Sequence, residues 1–299
     1  MKQKLEQCAR ALEGCRLIHN APMKDFTSFR IGGPADLLFM PRTREELLLG
    51  LNTAKELGIP RVVMGNGSNM LVSDKGIEGL VIRIAGDFSG IEYDGCTQKV
   101  LAGTLMCLAA NDALDNGLMG LEWGTGIPGT VGGAVAMNAG AYGGDVKQVL
   151  SRVECLIDGE IQHIHPADGD MAYRYSRFSA PEAIVLSAEF SLSPDDGGAK
   201  ERSRDYCERR KTKQPLSYPS AGSTFKRPEG HFAGALIEQA GLKGVRVGGA
   251  EVSRLHAGFV INVGGATAED VRILMEKIQE EVFSRFGIML EPEVKMVGR

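Results

Sequence analysis

Apolar residues follow two different periods in the first part of the chain. Between residues 43 and 57 they recur every three to four positions, which predicts an amphipathic helix, and Thr43 and Glu46 have the spacing of a capping box at its start. Short apolar runs at 61–64 and 80–84 predict buried strands instead. These elements predict a small α/β unit that ends near residue 84.

Short strands dominate the next part of the chain. They are predicted at 99–102, 153–157, 161–165 and 183–190. The dipeptide Asp158-Gly159 lies between the second and the third of these runs and is a strong signal for a β-hairpin. The pattern therefore predicts a second unit that is rich in antiparallel strands.

The strongest helical pattern of the chain covers residues 267–286. Thr267 and Asp270 stand at the reciprocal capping positions, one face is apolar, and Gly287 has the position of a C-terminal cap. Two further helices are predicted at 200–211 and 232–240. Helices therefore dominate the third part.

A final strand is predicted over residues 288–297. Strict alternation along such a strand places Glu291, Glu293 and Lys295 on one face and the apolar residues on the other. Glu293 can then point into a cleft or form part of a solvated strand face, and the period alone does not separate these two possibilities.

These patterns together predict an α+β protein of three units, with boundaries at 1–84, 85–197 and 198–299. A hydrophobic fraction of 43% is enough for a sizeable core. The formal net charge of −4 argues against a nucleic-acid partner, so any anionic ligand requires a local cluster of basic residues. We expect a monomer.

The cysteines and the N-terminus indicate the compartment. None of the six cysteines forms a CxxC pair, and the N-terminus has no apolar run of the kind found in signal peptides. No stretch is apolar enough to cross a membrane. We therefore expect free thiols and a cytoplasmic protein that contacts no membrane. His163 and His165 share one strand face, but we expect no metal site, because no carboxylate or cysteine stands at ligand spacing.

Residues 124–129 read GTGIPG and match the dinucleotide-binding pattern GxGxxG. The Rossmann version of this pattern requires a strand before it and a helix directly after it. Here Pro128 lies inside the motif, and Gly132 and Gly133 follow at once, which disfavours a helix at that point. We therefore predict a fold that is not a Rossmann fold.

The glycine-rich loops at 65–69 and 124–144 can instead hold a large polar ligand through their backbone N–H groups. Each loop alone could be a tight structural turn, but the two together favour a bound dinucleotide. The residues that we expect at such a cofactor site are Gly65, Asn66, Gly67, Ser68, Asn69, Gly124, Gly126, Ile127, Pro128, Gly129, Gly132, Gly133, Asn138 and Gly140.

Seven motifs give the chain a specific resemblance that extends over nearly its whole length. They resemble those of the UDP-N-acetylmuramate dehydrogenase family, also called UDP-N-acetylenolpyruvoylglucosamine reductases, which are vanillyl-alcohol-oxidase-like (PCMH-type) flavoproteins. In chain order they are TSFRIGGPAD (27–36), GNGSNMLVSD (65–74), GTGIPGTVGGAVAMNAGAYG (124–143), AYRYSRF (172–178), AGSTFKRP (221–228), HAGFVIN (256–262) and EPEVKMVG (291–298). A shorter match, KQP, occupies 213–215.

The resemblance implies FAD and NADPH as cofactors and a UDP-linked enolpyruvyl ether as substrate. NADPH would reduce the flavin, which would pass a hydride to the terminal methylene carbon of the substrate in the synthesis of a peptidoglycan precursor. Arg174 matches the catalytic arginine of the family, Ser223 the proton donor and Glu293 the catalytic glutamate. Without the motifs, Arg174 could be a surface ion-pair residue and Ser223 a turn residue.

The resemblance also indicates residues that bind the substrate. Lys213, Lys226 and Arg227 are candidates because a diphosphate requires positive charge, and Tyr173, beside Arg174, is a further one. The chain departs from some family members in the short distance from Arg174 to Ser223, which leaves no room for an extra tyrosine-bearing loop. Two alternatives stay open: another flavin oxidase or dehydrogenase of this fold, and a nucleotide-sugar-binding protein without catalytic activity.

Overall fold

The computed structural model describes all residues from Met1 to Arg299. The chain forms seven α-helices and four short 3₁₀ helices, the latter at 23–25, 122–126, 146–148 and 177–179. The α-helices are α1 (Lys2–Ala11), α2 (Arg44–Glu56), α3 (Met106–Asp115), α4 (Val131–Ala136), α5 (Ala199–Lys213), α6 (Ala233–Gln239) and α7 (Ala268–Phe286). By length and hydropathy, none of these helices could span a membrane.

The strands are short and number twenty. They are β1 (Leu17–Pro22), β2 (Pro34–Phe39), β3 (Arg61–Met64), β4 (Met70–Val72), β5 (Ile77–Arg83), β6 (Ile91–Asp94), β7 (Thr97–Leu101), β8 (Leu118–Met119), β9 (Gly140–Ala141), β10 (Gly144–Asp145), β11 (Leu150–Ile157), β12 (Glu160–Ile164), β13 (Met171–Ala172), β14 (Tyr175–Ser176), β15 (Ala183–Ser191), β16 (Ser193–Pro194), β17 (Arg246–Val247), β18 (Ala250–Val252), β19 (Val260–Asn262) and β20 (Lys295–Val297).

The first sheet has the strand order β1-β2-β5-β3, in which β2, β5 and β3 run parallel and β1 is antiparallel. One face packs against α2 through Phe39 and Leu47, while the other face carries Leu38 and Val81 into a separate cluster. Both faces are thus buried, which explains the continuous apolar runs of these strands. At the start of α2, Thr43 accepts from Glu46 N–H as predicted.

The predicted capping box of α2 is wrong in its second half. The Glu46 carboxylate accepts a hydrogen bond from the backbone N–H of Arg42 at 2.7 Å and pairs with its guanidinium, whereas a capping box requires it to accept from Thr43 N–H. The guanidinium of Arg42, one residue before the N-cap Thr43, draws the Glu46 carboxylate away from Thr43 N–H, because a charge-assisted pair is stronger than a neutral hydrogen bond.

The second sheet is antiparallel and has the order β12-β11-β15-β7-β6. The predicted hairpin is confirmed, since β11 pairs with β12 across Asp158 and Gly159, which have φ angles of 53° and 90°. Both residues at positive φ are what a type I′ turn requires. Helix α4 packs on β15 and belongs to the same hydrophobic core as the first sheet.

The third sheet, β17-β18-β19, packs with α6 and α7 around a separate core. The capping box of α7 is confirmed: Thr267 Oγ1 accepts from Asp270 N–H, and Asp270 accepts from Thr267 N–H. Gly287 ends the helix in the left-handed conformation at φ 69°. Two predictions that depend only on local sequence thus hold.

Long-range contacts join the three parts of the chain. The carboxylate of Asp74 accepts from the N–H groups of Ala268 and Glu269 at 2.8 and 3.1 Å, at the start of α7. Strand β20 lies parallel to β4, next to the first sheet. Helix α5 packs against the 3₁₀ helix 122–126, where Ser203 Oγ donates to Thr125 Oγ1 at 3.1 Å.

The predicted strand 288–297 is wrong over most of its length. Only Lys295–Val297 forms a strand, and the preceding residues make irregular contacts, including an isolated bridge between Phe225 and Pro292. The regular alternation is lost with it, so the exposed Glu291 and the buried side chain of Glu293 do not share one environment. The residues that pair with segment 288–297 lie far from it in the sequence.

Candidate active site

A cavity of about 480 Å³ opens where the three parts of the chain meet. Its wall contains residues from every part of the chain, including Ser28 and Ser68, Gly140 and Arg174, and the segment 214–223. Only one acidic side chain, that of Glu293, lines it.

Arg174 and Glu293 form an ion pair in this wall. Arg174 lies in the turn between β13 and β14 at a φ of 54°, and its Nε donates to Glu293 Oε1 at 2.7 Å. Its Nη2 also donates to the carbonyl of Gly140 at 3.2 Å. The side chains are only 19% and 9% exposed. The pair is therefore fixed in position and largely shielded from solvent.

Burial governs the protonation of Glu293. It raises the pKa of the Glu293 carboxyl above its usual range, and the guanidinium of Arg174 opposes this rise. A carboxyl with a raised pKa keeps its proton to higher pH than a surface glutamate. Glu293 can therefore donate a hydrogen bond or a proton to a bound anion more readily than an exposed carboxylate could.

Ser223 reaches the same cavity because its neighbours pair with the residues around Glu293. The N–H of Glu293 donates to the carbonyl of Thr224 at 2.9 Å, and the N–H of Lys226 donates to the carbonyl of Glu291 at 2.8 Å. The hydroxyl of Ser223 makes no hydrogen bond within the protein and lines the cavity. It is thus free to contact a ligand near the ion pair.

The loop Gly65–Asn69 after β3 has the features of an anion-binding nest. None of its five successive backbone N–H groups donates to an acceptor in the protein, and the same holds for Gly129 and Thr130 in the second loop. The side-chain amide of Asn66 donates to the carbonyl of Pro128 at 2.9 Å and ties the two loops together. Arg83 in turn donates to Asn66 Oδ1 at 3.0 Å.

A second cavity of about 350 Å³ lies beyond these loops, lined by Gly65, Gly133 and apolar residues such as Phe178 and Ile184. Ser68 and Asn69 line the first cavity, so the loops form part of both walls. A Cβ on Gly65 would lie 2.2 Å from Thr130 Oγ1, so the loops approach too closely for a side chain there. The two loops, here called the cradle, contribute to the walls of both cavities and carry a row of free N–H groups, an arrangement that fits an elongated dinucleotide such as FAD.

The predicted cofactor residues divide into two groups. Nine of them line one cavity or the other, namely Gly65, Ser68, Asn69, Gly126, Ile127, Pro128, Gly132, Gly133 and Gly140. Asn66, Gly67, Gly124, Gly129 and Asn138 line neither. The side-chain amide of Asn138 donates to the carbonyl of Ala172 at 2.9 Å, and its Oδ1 accepts from the N–H of Lys147. Asn138 therefore has a structural role next to the two loops.

The predicted substrate residues lie outside the cavity wall. Lys226 pairs with Glu291, and the guanidinium of Arg227 stacks 4.4 Å from the ring centroid of Phe232. The hydroxyl of Tyr173 accepts from the N–H of Arg227 at 3.2 Å. Lys213 is the exposed last residue of α5.

Several residues that line the cavity were not among those predicted from the sequence. Tyr142 and Tyr206 stack with ring centroids 4.7 Å apart, and Arg210 donates to the carbonyl of Gly126. Burial lowers the pKa of Arg210. Tyr142 belongs to a matched motif and Arg210 to the basic run 209–213, so a signal was present. The helical period of α5 would have found it, because Tyr206 and Arg210 lie four residues apart and share the face that lines the cavity.

Known proteins agree with the geometry in both halves of the chain. A family model described as an FAD binding domain matches residues 35–165. Another, described as the C-terminal domain of UDP-N-acetylenolpyruvoylglucosamine reductase, matches residues 214–297. The cradle and the matched domain define an FAD-binding oxidoreductase.

Relatives narrow this class to one family. A UDP-N-acetylenolpyruvoylglucosamine reductase of Alkaliphilus oremlandii is 47% identical over 279 residues, 93% of this chain and 92% of that protein. The reductase 2 of Symbiobacterium thermophilum is 46% identical over 95% of this chain and 92% of its own length. The crystal structure of the enzyme from Thermus caldophilus superposes with a TM-score of 0.80 at 38% identity, covering 94% and 98% of the two chains. The chain therefore belongs to the UDP-N-acetylenolpyruvoylglucosamine reductase family.

Membership of this family confirms the main sequence predictions. The chain is an FAD-dependent reductase of peptidoglycan precursor synthesis with an α+β, FAD-binding fold. The GxGxxG match is confirmed as misleading, since a 3₁₀ helix precedes Ile127 and no strand leads into the motif. The expectation that Gly132 and Gly133 disfavour a helix after the motif is wrong, because α4 contains both and Thr130 caps its start. All six cysteines are unpaired, as expected. No group of three or more His, Cys, Asp or Glu side chains is arranged to hold a metal ion.

Proposed function

We propose that the chain reduces the enolpyruvyl ether of UDP-N-acetylglucosamine enolpyruvate to the lactyl ether of UDP-N-acetylmuramate, with NADPH as the reductant. The observation that carries this proposal is the Arg174–Glu293 ion pair beside the free hydroxyl of Ser223, in one cavity that adjoins the FAD cradle. FAD bound in the cradle would accept a hydride from NADPH and pass it to the substrate.

Each of the three residues has a distinct part in this proposal. The planar guanidinium of Arg174 binds the substrate carboxylate, on which negative charge grows when the hydride reaches the methylene carbon. Glu293 orients Arg174 and, when protonated, donates a hydrogen bond to the developing enolate oxygen. The hydroxyl of Ser223 gives a proton to the carbon next to the carboxylate and completes the lactyl centre.

The proposed cofactor residues are Gly65–Asn69 and the cavity-lining residues of Gly126–Gly140. FAD's diphosphate would accept from the free N–H groups of the first loop, and the apolar second cavity would take its adenosine end. Tyr173, Lys213, Lys226 and Arg227 remain candidates for the substrate only if the third unit moves on binding, because none lines the cavity.

The proposed division into units is 1–84, 85–197 and 198–299. The three larger sheets support it, since each falls within one of these ranges. Two contacts cross the boundaries: β20 pairs with β4, and α5 packs on the second range. We also propose a cytoplasmic monomer that binds neither nucleic acid nor membranes. A net charge of −4 supports the absence of a nucleic-acid partner.

The purified protein is expected to carry flavin absorbance and to oxidise NADPH only when the UDP-linked enolpyruvyl ether is present. Steady-state rates should follow a ping-pong pattern, because hydride donor and acceptor would use the same cavity in turn. A flavin-loaded protein that ignores this substrate and is reduced by a hydroxy acid would support the alternative flavin oxidase. A protein that takes up no flavin when FAD is supplied would contradict the proposal.

Replacement of Gly133 by Val is expected to weaken FAD binding without harming the fold. A Cβ at Gly133 would meet no protein atom closer than 3.5 Å, so the new side chain would enter the second cavity. Valine also has a better helix propensity than glycine inside α4. We expect the FAD dissociation constant, measured by flavin fluorescence, to rise about tenfold or more from steric overlap, while the apo-protein unfolds at the wild-type temperature or above.

Gly132→Val is the matched control in the same helix. A Cβ at Gly132 would lie 2.9 Å from the Cβ of Ala102, so this variant should destabilise the apo-protein itself. Wild-type FAD affinity in Gly133→Val would show that the second cavity does not hold the cofactor.

A further inference from the structure

Arg30 is a cation without a partner in the wall of the first cavity. Three arginines line this cavity, and the other two are engaged, Arg174 with Glu293 and Arg210 with the carbonyl of Gly126. The guanidinium of Arg30 makes no hydrogen bond or ion pair with any residue of the chain. Its charge is therefore available to a ligand.

The backbone at Arg30 is held in an unfavourable conformation by four hydrogen bonds. Its φ is 53°, in the left-handed region that a residue with a long side chain rarely adopts. The N–H of Arg30 donates to the carbonyl of Thr27, whose hydroxyl donates to the carbonyl of Ile31 at 3.1 Å. The amide of Asn262, from β19, donates to the carbonyls of Phe29 and Arg30 at 3.2 and 3.5 Å.

Strain of this kind persists where the surrounding structure overdetermines it, and it concentrates at binding sites. The segment is fixed to the third sheet by Asn262 and also by Ser28, whose hydroxyl donates to the carbonyl of Ser220 at 2.6 Å. Arg30 thus faces the cavity at the joint between the first and third parts of the chain, next to the loop that carries Ser223.

The charges of the cavity point to a strongly anionic ligand. The wall carries three arginines and a single carboxyl group, although the whole protein has a net charge of −4. Arg174 pairs with Glu293 and is the residue proposed to bind the substrate carboxylate. A second anionic group of the ligand therefore needs a separate cation. A diphosphate suits the guanidinium of Arg30, which can donate two parallel hydrogen bonds to phosphate oxygens.

We propose that Arg30 binds the diphosphate of a nucleotide other than FAD, namely the UDP-sugar or NADPH. The row of free N–H groups at Gly65–Asn69 serves the diphosphate of FAD, whereas Arg30 shares its wall with residues 220–223 of the third part. This inference rests on the proposed function, since it assigns a residue to the ligands of that reaction.

The test compares Arg30→Asn with Lys24→Asn in the FAD-loaded enzyme. Asparagine tolerates the left-handed conformation, so the backbone can be kept while the guanidinium is lost. Lys24 lies in the same segment, is exposed and does not line the cavity, so its variant controls for loss of one charge. Calorimetric titrations with UDP and with NADP⁺ separate the two ligands.

The dissociation constant of UDP or of NADP⁺ is expected to rise about 10- to 100-fold in Arg30→Asn, as for loss of a charge-assisted hydrogen-bonded contact. Lys24→Asn should bind both nucleotides with wild-type affinity. Both variants should keep the flavin content and the melting temperature of the wild type. A loss confined to UDP assigns Arg30 to the substrate, and one confined to NADP⁺ assigns it to the reductant. Unchanged affinity for both, or a loss of FAD instead, overturns the inference.

The same titrations also distinguish an error in the role of Arg30 from an error in the proposed function. If the wild-type enzyme binds UDP or NADP⁺ and Arg30→Asn binds both equally well, only the role of Arg30 is wrong. If the wild-type enzyme binds neither nucleotide, the proposed function is wrong as well.

Discussion

Ser223→Ala should slow the reduction of the UDP-linked substrate by about 10²- to 10⁴-fold, the usual contribution of a positioned acid. The hydroxyl of Ser223 lines the cavity without a hydrogen bond inside the protein, so its loss leaves no unpaired polar group behind. NADPH should still bleach the flavin absorbance at the wild-type rate, because that step needs no proton donor for the substrate. Stopped-flow absorbance separates the two half-reactions.

Ser217→Ala is the control for this experiment, because Ser217 lines the same cavity on the segment 214–223. It should keep both half-reactions close to wild type. The assignment of Ser223 as the proton donor is wrong if Ser223→Ala keeps full turnover. It is also wrong if the variant slows flavin reduction by NADPH as strongly as substrate reduction.

Arg174→Met should lower kcat/KM for the substrate by about 10²- to 10³-fold while leaving FAD bound. The variant removes the cation proposed for the substrate carboxylate, and interactions of this kind with developing charge contribute about 10²–10³ in rate when a single donor is lost. It also leaves Glu293 buried without its partner. Arg174→Lys should recover part of the loss, since it keeps the charge but not the planar pair of donors.

The same variant should make stability more dependent on pH. Burial raises the pKa of Glu293 and Arg174 lowers it, so removal of Arg174 leaves this pKa higher still in the folded state. A carboxyl group with a raised folded pKa favours folding below its ordinary value, and this contribution is lost as the pH rises through the folded pKa. The destabilisation by Arg174→Met should therefore be small near pH 4 and larger at pH 8, as measured by urea unfolding.

Arg177→Met is the control, because Arg177 makes only a longer and more exposed contact with Asp170 at 3.4 Å. Its unfolding free energy should change little and should show no added pH dependence. Equal destabilisation of Arg174→Met at both pH values would contradict the proposed state of Glu293.

Elements with local signals could be predicted closely. Helix α7 begins and ends as the residues Thr267, Asp270 and Gly287 indicate, and the turn at Asp158-Gly159 joins β11 to β12. In each case the deciding hydrogen bonds or φ angles involve neighbours in the chain. The strand predicted for 288–297 failed because its partners are remote: β20 pairs with β4, and the residues before it pair with segment 224–226.

The sequence by itself determined the family and the FAD-binding class, and it supplied the three residues proposed for catalysis, because all of these reside in motifs whose order and spacing are specific. Only the tertiary structure decided how those residues meet. Arg174 and Glu293 are 119 positions apart, and their ion pair depends on a hairpin turn and on the path of the last ten residues. The backbone of Arg30 is likewise held by contacts with β19, more than two hundred residues away in the chain. Burial and pairing at such separations are set by packing of the whole fold, which local patterns do not encode.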